Sequence, residues 1–252
     1  MASEPTITRA PVAFRDLGRL GYQEAWDLQT DLHTASIARK RRNRELVQQG
    51  TAPEPLRHHL LFVEHPPVYT LGKSGSADHL LLSAEELAAG GFTFHRINRG
   101  GDITYHGPGQ LVAYPIFDLE DFFTDVHRYV RFLEEVVIRT CADFGLAAER
   151  DAGYTGVWLP GDTEKGLARR KICAIGVHLS RWVTLHGFAF NVCPDLNHFG
   201  HIVPCGIAEA DRSVTSLSQE LGRRIALEEV KPLVQRHFQE VFGFSWAEPT
   251  NC

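Results

Sequence analysis

The sequence predicts a mixed α/β domain in which helices flank a largely antiparallel sheet. Strand signals lie both before and after one long amphipathic stretch, Phe122–Gly145, so helices and strands do not alternate regularly. Most strand candidates follow one another through short turns, which favours antiparallel pairing. A GxGxxG fingerprint is absent from the sequence, and with it the pattern typical of a dinucleotide-binding βαβ fold.

Apolar spacing and turn residues divide the first half of the chain into short strands and helices. The clearest local signal is the capping box that opens at Ser83, with Glu86 three residues later and Gly90 ending the helix. The predicted elements are, in order, a strand Val12–Asp16, a helix from Gly21 to Arg44, a linker at 49–57, two short strands in His58–Gly72 around Pro66 and Pro67, a loop Ser74–Asp78, the helix from Ser83, a strand Phe92–Asn98 and a central strand Gln110–Phe117.

The second half opens with the strongest helix signal of the chain. Apolar residues from Phe122 onward form one stripe, and Gly145 ends it. Further along, Lys171–Ser180 and Arg181–Val192 indicate a strand pair with a tight connection. The other predicted elements are short strands at 146–150 and 155–159, a charged loop at 160–170, an irregular segment at 193–210, and helices at about 213–221 and 227–242.

Composition limits the classes of protein to which the chain can belong. Its 252 residues are 43% hydrophobic, enough for a sizeable core, and its net charge of −5 argues against a polyanion-binding protein. No apolar run approaches the roughly 20 residues needed to cross a bilayer, and the first residues lack the order of a signal peptide. Five cysteines at scattered spacing suggest no disulfide framework, so we expect a reduced, cytoplasmic protein.

The segment Arg99–Leu119 is rich in glycine at its start and apolar at its end. Glycine lets a ligand approach the backbone closely, and the polar Tyr105 and His106 lie inside the turn. Arg99 is a natural partner for an anionic or carbonyl oxygen. A long hairpin turn with a buried aromatic is the plainer interpretation, but the polar groups within the turn favour a ligand site.

Five basic residues cluster between positions 39 and 44: Arg39, Lys40, Arg41, Arg42 and Arg44. A run of this kind is usually a solvated helix face. The alternative is a docking patch for an acidic partner.

Cys205 is the candidate nucleophile. It lies between Pro204 and Gly206 on a constrained turn, where nearby backbone N–H groups suit a developing oxyanion. A free cysteine is more often a small buried hydrophobe, and we assign that role to Cys141, Cys173 and Cys193.

Lys171 begins a strand that is otherwise apolar. Either its charge reaches water at the strand end, or it is a partly buried amine that takes part in chemistry, because buried lysines can act as bases. A cationic lysine beside a cysteine also lowers the pKa of the thiol. A pair of Cys205 and Lys171 would therefore combine a thiolate with a proton shuttle.

His198 and His201 precede Cys205 at a spacing compatible with a zinc site. Neither a second cysteine pair nor an HExxH motif accompanies them, so we favour histidines that cap or line a pocket wall. His186–Asn191 is expected to be mostly strand, with Gly187 permitting close approach by a ligand.

Five motifs follow one another along the chain. They are EHPPVYTLG at 64–72, RGGDITYHGPGQLVAYP at 99–115, KICAIG at 171–176, HGFAFNV at 186–192 and PCGI at 204–207. Together they resemble the octanoyl-(acyl carrier protein):protein N-octanoyltransferases, the LipB family of lipoate biosynthesis. The resemblance spans about residues 12–245.

The resemblance implies a fold related to biotin- and lipoate-protein ligases and a single catalytic domain over residues 1–252, with poorly ordered tails at about 1–11 and 246–252. It implies transfer of octanoyl from octanoyl-acyl carrier protein to a lysine of apo lipoyl domains, those of 2-oxoacid dehydrogenase E2 subunits and of the glycine cleavage H protein. No cofactor, metal, nucleic acid or membrane is implied.

The same resemblance assigns residues to roles. Cys205 would form an acyl-thioester intermediate, and Lys171 would depress its pKa and act as general acid and base. The implied substrate-binding residues are Arg99, Gly100, Gly101, Asp102, Ile103, Thr104, Tyr105, His106, Ala174, Ile175, Gly176, Gly187, Phe188 and Ala189. We expect an apolar acyl tunnel near Ile175 and Phe188, closed by the glycine-rich segment.

Two other functions remain open. An ATP-dependent lipoate- or biotin-protein ligase on the same fold would stabilise an acyl-adenylate with a lysine and would not require Cys205. The segment TYHGPGQ, together with the later PCG, favours the transferase over the ligase. A non-catalytic module that binds lipoyl domains is the second alternative.

Overall fold

The computed structural model describes residues 9–162, 164, 166–203 and 212–248. Within them the helices are α1 (Tyr22–Gln48), α2 (Ala84–Ala89), α3 (Val126–Asp143), α4 (Leu217–Leu221) and α5 (Leu227–Phe242). The strands are β1 (Val12–Arg19), β2 (His58–Glu64), β3 (Val68–Leu71), β4 (Thr93–Arg96), β5 (Ile103–His106), β6 (Gln110–Ile116), β7 (Glu149–Asp151), β8 (Tyr154–Leu159), β9 (Arg169–Ser180), β10 (Val183–Asn191) and β11 (Arg212–Val214).

The strands form a large sheet and a small one. The large sheet runs in the order β1-β2-β6-β10-β9-β8-β7, with β11 also paired to β9, and the small sheet runs β4-β3-β5. Three pairs are parallel, β1 with β2, β3 with β4 and β11 with β9, and the other pairs are antiparallel. The predicted mixed, largely antiparallel sheet flanked by helices is confirmed.

Helices cover both faces of the large sheet. Alternate residues of β2 point to opposite sides, so Leu60 and Phe62 join a core with α3 and α5, whereas Leu61 and Val63 pack beneath α1. This explains why the central strands are almost continuously apolar. A third cluster fills the space between the small sheet and the 3₁₀ turn Leu196–His201.

Several local predictions are confirmed. Ser83 caps α2, with its hydroxyl accepting from the backbone N–H of Glu86. β9 and β10 are joined by the two-residue turn Arg181–Trp182, where φ is 52° and 66°, values typical of a tight type I′ hairpin turn.

The two strands predicted around Pro66 and Pro67 are confirmed as β2 and β3, which belong to different sheets. Three expectations need correction. The glycine-rich segment is not one long turn, because Ile103–His106 within it forms β5. The helix expected from Phe122 begins at Val126, where Asp125 caps it. The helix expected from about 213 begins at Leu217, because Arg212–Val214 pairs with β9 as strand β11.

The described ends of the chain meet at β1. The backbone N–H of Val12 donates to Ser245 at 3.0 Å, and that of Ala247 donates to Val12 at 2.8 Å. Of the expected tails, residues 1–8 and 249–252 lie outside the described ranges. No helix in the described part of the chain combines the length and apolarity that a membrane span needs.

Candidate active site

The glycine-rich loop Arg99–Asp102, which we call the glycine loop, is clamped between β9 and the residues that follow β3. The backbone N–H of Gly100 donates to Val177 of β9 at 3.0 Å. From the other side, the N–H of Lys73 donates to Arg99 at 3.0 Å and that of Gly72 to Asp102 at 3.1 Å. The small sheet is thereby joined to the large one.

Arg99 is buried and fastens the glycine loop rather than facing water. Its Nη2 donates to the carbonyl oxygen of Thr70 at 2.7 Å and to the Thr70 hydroxyl at 3.0 Å, and its Nη1 donates to the Gly100 carbonyl at 3.1 Å. Both terminal nitrogens of Arg99 therefore donate hydrogen bonds to oxygen atoms of the protein. Charge-assisted bonds of this kind are stronger than those between neutral groups.

Asp102 closes the other end of the loop. One carboxylate oxygen accepts from the backbone N–H of Ile103 at 2.7 Å, and the other contacts Nδ1 of His79. Both oxygens of this buried carboxylate therefore have protein partners, and Asp102 shapes the loop.

A cavity of about 360 Å³ lies between the glycine loop and β9. Its wall brings together Arg99–Thr104, Ala174–Gly176 and Lys171, which are distant in sequence but were all predicted site residues. Its other lining residues are Gln110, Val130, Gly153, Tyr154, Thr155, Val177, Asn191, Phe199 and Val214. This volume is within the range of small-molecule sites.

A smaller cavity of about 50 Å³ adjoins the first, and we call it the inner cavity. The two share Arg99, Thr104 and Ala174–Gly176. The inner cavity adds the remaining predicted residues His106 and Gly187–Ala189, whereas Tyr105 lines neither. The predicted segments thus surround two cavities that share part of their wall.

Tyr105 is buried in the small sheet, and its hydroxyl contacts Nδ1 of His198 at 2.7 Å. The neighbouring Tyr69 donates its hydroxyl proton to the His198 carbonyl at 2.9 Å, so its oxygen accepts from Nδ1 of His201 at 2.9 Å. His198 and His201 therefore form hydrogen bonds with the hydroxyl groups of Tyr69 and Tyr105. Among the described residues, no group of three or more His, Cys, Asp or Glu side chains could hold a metal ion.

Neutral histidines surround the inner cavity. Burial lowers the pKa of His65 to about 4 and of His186 to about 3, and it takes the pKa of His106 well below its usual value. Nδ1 of His65 donates to the Leu20 carbonyl, so its Nε2 accepts from the Tyr114 hydroxyl at 2.8 Å. At neutral pH these histidines make the wall of the inner cavity polar without adding charge. Among the described residues that line this cavity, Arg99 is the only cation.

Lys171 reaches the main cavity from β9, held by strands on either side. It lies directly across from Trp158 of β8, next to a bulge between Val157 and Trp158. On the other side it is paired with Val214, and its carbonyl accepts from the N–H of Thr215 at 3.0 Å. The lysine side chain is half-buried.

Two carboxamides, those of Gln110 and Asn191, line the main cavity. Gln110 donates to Oδ1 of Asn191 at 2.9 Å, and Asn191 donates to the carbonyl of Thr215 at 2.9 Å. Both side chains are buried and line the cavity. Sequence reasoning did not select them, although both lie within quoted motifs. No local sequence pattern marks Trp158 or Tyr154 as site residues, because only the strand register brings them close to Lys171 and the cavity.

Comparison with known proteins identifies the family. The family model of the lipoyl protein ligase A/B catalytic domain matches residues 22–239. An octanoyltransferase of Christiangramia forsetii is 54% identical over 232 residues, which cover 92% of this chain and 95% of that protein. An octanoyltransferase of Cytophaga hutchinsonii is 51% identical over 236 residues, covering 93% and 94%. The chain belongs to the octanoyltransferases, which are acyltransferases.

Solved structures agree on the fold of this octanoyltransferase chain. A bi-partite lipoate protein ligase from Thermoplasma acidophilum matches with a TM-score of 0.61 and 17% identity over 96% of this chain and 86% of that one. A lipoate-protein ligase A bound with ATP matches with a TM-score of 0.60 and 16% identity over 96% and 88%. The expected likeness to lipoate-protein ligases is confirmed at the level of fold.

The predicted nucleophile of the octanoyltransferase, Cys205, lies outside the described residues. Phe199 before it and Val214 after it both line the main cavity. The structure describes three other cysteines, Cys141, Cys173 and Cys193. Burial raises the pKa of each of these thiols. The first two are fully buried, which confirms their expected role in the core, and Cys193 is half-buried.

The basic run of α1 is largely paired with acids of the same chain. Lys40 is buried against Asp118 at 2.7 Å and Glu120 at 3.0 Å. The arginine pairs are Arg39 and Arg42 with Glu54, Arg41 with Glu45, and Arg44 with Glu120. The positive charge of this face is thus partly compensated, although exposed pairs of this kind are weak and can rearrange.

Replacing Gly176 with alanine should disturb the clamp of the octanoyltransferase. The added Cβ would lie 2.9 Å from Cδ of Arg99 and 3.0 Å from the carbonyl oxygen of Gly100, so the glycine loop must move. We expect kcat/KM to fall roughly tenfold to a hundredfold, since small displacements at a site are costly.

The matched control is Gly200→Ala, because its added Cβ would meet no heavy atom within 4 Å. Kinetics and thermal melting of both variants give the comparison. Equal activity of the two variants would show that the clamp does not shape the site.

Proposed function

We propose that this octanoyltransferase transfers octanoyl from octanoyl-acyl carrier protein to the lysine amine of lipoyl domains, through a thioester on Cys205. The main support is that a cavity of about 360 Å³ gathers Lys171 with the predicted binding segments. The identity of 54% to an octanoyltransferase supports the chemistry of the transferred group. We place the reaction in the cytoplasm and assign it to one catalytic domain spanning the chain.

The proposed reaction has two acyl transfers. The Cys205 thiolate attacks the donor carbonyl, a new carbon–sulfur bond forms, and the bond to the pantetheine sulfur breaks. Lys171 as an ammonium group gives that sulfur a proton. The acceptor amine then attacks the Cys205 thioester, Lys171 takes up a proton, and the thiolate of Cys205 is released. Because one thioester replaces another in the first step, no ATP is needed.

The acyl chain is proposed to lie in the main cavity with its tail towards the inner cavity. Lys171 lines only the main cavity, and Gly187–Ala189 line only the inner one, so the carbonyl belongs near the lysine. Arg99, Thr104 and Ala174–Gly176 border both spaces and would flank the chain. Tyr105 would act at a distance, through its contact with His198.

The proposed acceptors are the apo lipoyl domains of 2-oxoacid dehydrogenase E2 subunits and the glycine cleavage H protein. The structurally similar Thermoplasma acidophilum ligase was solved as part of a lipoylation system with its E2 lipoyl domain, which supports the choice of acceptor.

An ATP-dependent ligase is the second candidate function, because a ligase of this fold has been solved with ATP bound. That likeness, at 16% identity, concerns the fold alone. The relatives at 54% and 51% identity are octanoyltransferases, and this observation favours transfer without ATP.

Incubation with octanoyl-acyl carrier protein in the absence of ATP should add one octanoyl group to the protein. Intact mass and peptide mapping should place it on Cys205, and hydroxylamine should remove it, because thioesters are labile to that reagent. Cys205→Ala should abolish the adduct, whereas Cys193→Ala, which changes a half-buried thiol, should retain it. A protein that is acylated only with ATP would contradict the transferase mechanism.

Filling the inner cavity should shorten the preferred acyl chain. Ala189 is buried and lines this cavity, whose 50 Å³ is small enough that added methyl groups matter. With Ala189→Val we expect the preference for octanoyl over hexanoyl, measured as a ratio of kcat/KM values, to fall about tenfold. The hexanoyl donor is the internal control for folding, and an unchanged ratio would place the tail elsewhere.

A docking role of the basic run predicts a selective effect on the protein donor. Arg41→Glu with Arg42→Glu should raise KM for octanoyl-acyl carrier protein about threefold or more, without changing KM for octanoyl-pantetheine, because only the acidic carrier would contact this face. Arg15→Glu with Arg19→Glu makes the same charge change on exposed positions of β1. An equal effect of the two double variants would exclude specific docking at the basic run.

A further inference from the structure

Trp158 is a fully buried aromatic residue next to the cavity and does not line it. Nζ of Lys171 lies 4.5 Å from the centroid of its ring. The lysine lines the cavity and the indole does not, so the buried ring lies behind the lysine amine. A cation over the face of tryptophan is attracted by the ring quadrupole, more strongly when the contact is desolvated.

Backbone geometry brings the two side chains together. The bulge in β8 pairs Val157 with Cys173 and Trp158 with Lys171, so the indole and the lysine are direct cross-strand neighbours. Gly156 lets β8 approach β9 closely, because a Cβ there would lie 2.6 Å from the carbonyl oxygen of Cys173. The N–H of Gly156 donates to the buried Glu134 at 3.2 Å, which holds this part of β8 to α3.

Other ionisable groups around Lys171 come from several elements. They are Glu134 of α3, Tyr154 of β8, Cys173 of β9 and Arg212 of β11. Glu134 forms ion pairs with Arg131 at 2.7 Å and with Arg150 at 3.1 Å. Arg212 lies over the Tyr154 ring and 3.6 Å from Asp151. Glu134 and Arg212 thus interact with other groups as well, and the Trp158 ring lies directly against the lysine amine.

We infer that Trp158 is a positioning residue that holds the Lys171 ammonium group at the cavity wall and favours its charged form. The inference deepens the proposed function, since it rests on the role of Lys171 as proton donor. An ammonium group held over the ring would point towards the leaving sulfur and stabilise a nearby thiolate. Loss of the ring should make Lys171 lose its proton at lower pH.

The test compares the native protein with Trp158→Phe and Trp158→Leu. Trace acetylation with acetic anhydride over a series of pH values, read by peptide mass spectrometry, reports how much of Lys171 is the neutral amine. We expect the midpoint to fall by about 0.4 to 1.5 pH units in Trp158→Leu and by less in Trp158→Phe, which keeps a smaller aromatic face. The alkaline limb of kcat/KM should move in the same direction.

Phe238→Leu serves as the matched control, because Phe238 is an equally buried aromatic that, like Trp158, does not line the cavity, and it packs in the core with α3 and α5. It should lower the melting temperature and leave the Lys171 midpoint unchanged. Equal midpoints in the native protein and both Trp158 variants, or a rise on loss of the ring, would overturn the inference. A shifted labelling midpoint with an unshifted rate profile would support the Trp158 contact and reject the proposed role of Lys171.

Discussion

The site depends on the close approach of two backbones that belong to different sheets. The bond from Gly100 to Val177 joins the glycine loop to β9 outside any strand ladder, and it forms because Gly176 presents no side chain to Arg99. A single hydrogen bond contributes only about 0.5–1.5 kcal/mol, so the two bonds from Gly72 and Lys73 and those of Arg99 are needed to fix the loop. Without this clamp the small sheet would lose its fixed position over β9, and the two cavities would have no common wall.

Electrostatics divides the site into two ends. At the outer end the Lys171 amine lies against an aromatic face and between two strands, where the proposed mechanism uses it as a cation. At the inner end burial keeps the histidines neutral, and the charged Arg99 donates its hydrogen bonds to Thr70 and Gly100. An acyl thioester has the matching polarity, since its reacting carbonyl requires charge nearby and its hydrocarbon tail requires none.

Local signals predicted much of the fold and of the site, and contacts between distant strands account for what they missed. The capping box at Ser83 and the stripe of α3 depend on neighbours in sequence, and both were found. β5 was missed because its glycine-rich flanks resemble a turn, and only pairing with β3 makes it a strand. Lys171 was selected because a charge stands out in an apolar strand. Its partner Trp158 was not, because a bulge sets the register that brings them together.

The meeting of the chain ends at β1 has a practical consequence. β1 is one edge of the large sheet, and β9, which carries Lys171, is four strand spacings away, roughly 19 Å. The described stretches that begin at Arg9 and end at Glu248 thus lie together at the edge of the sheet away from Lys171. A label or tether attached to Arg9 or Glu248 should leave the cavity open to a partner as large as a protein domain.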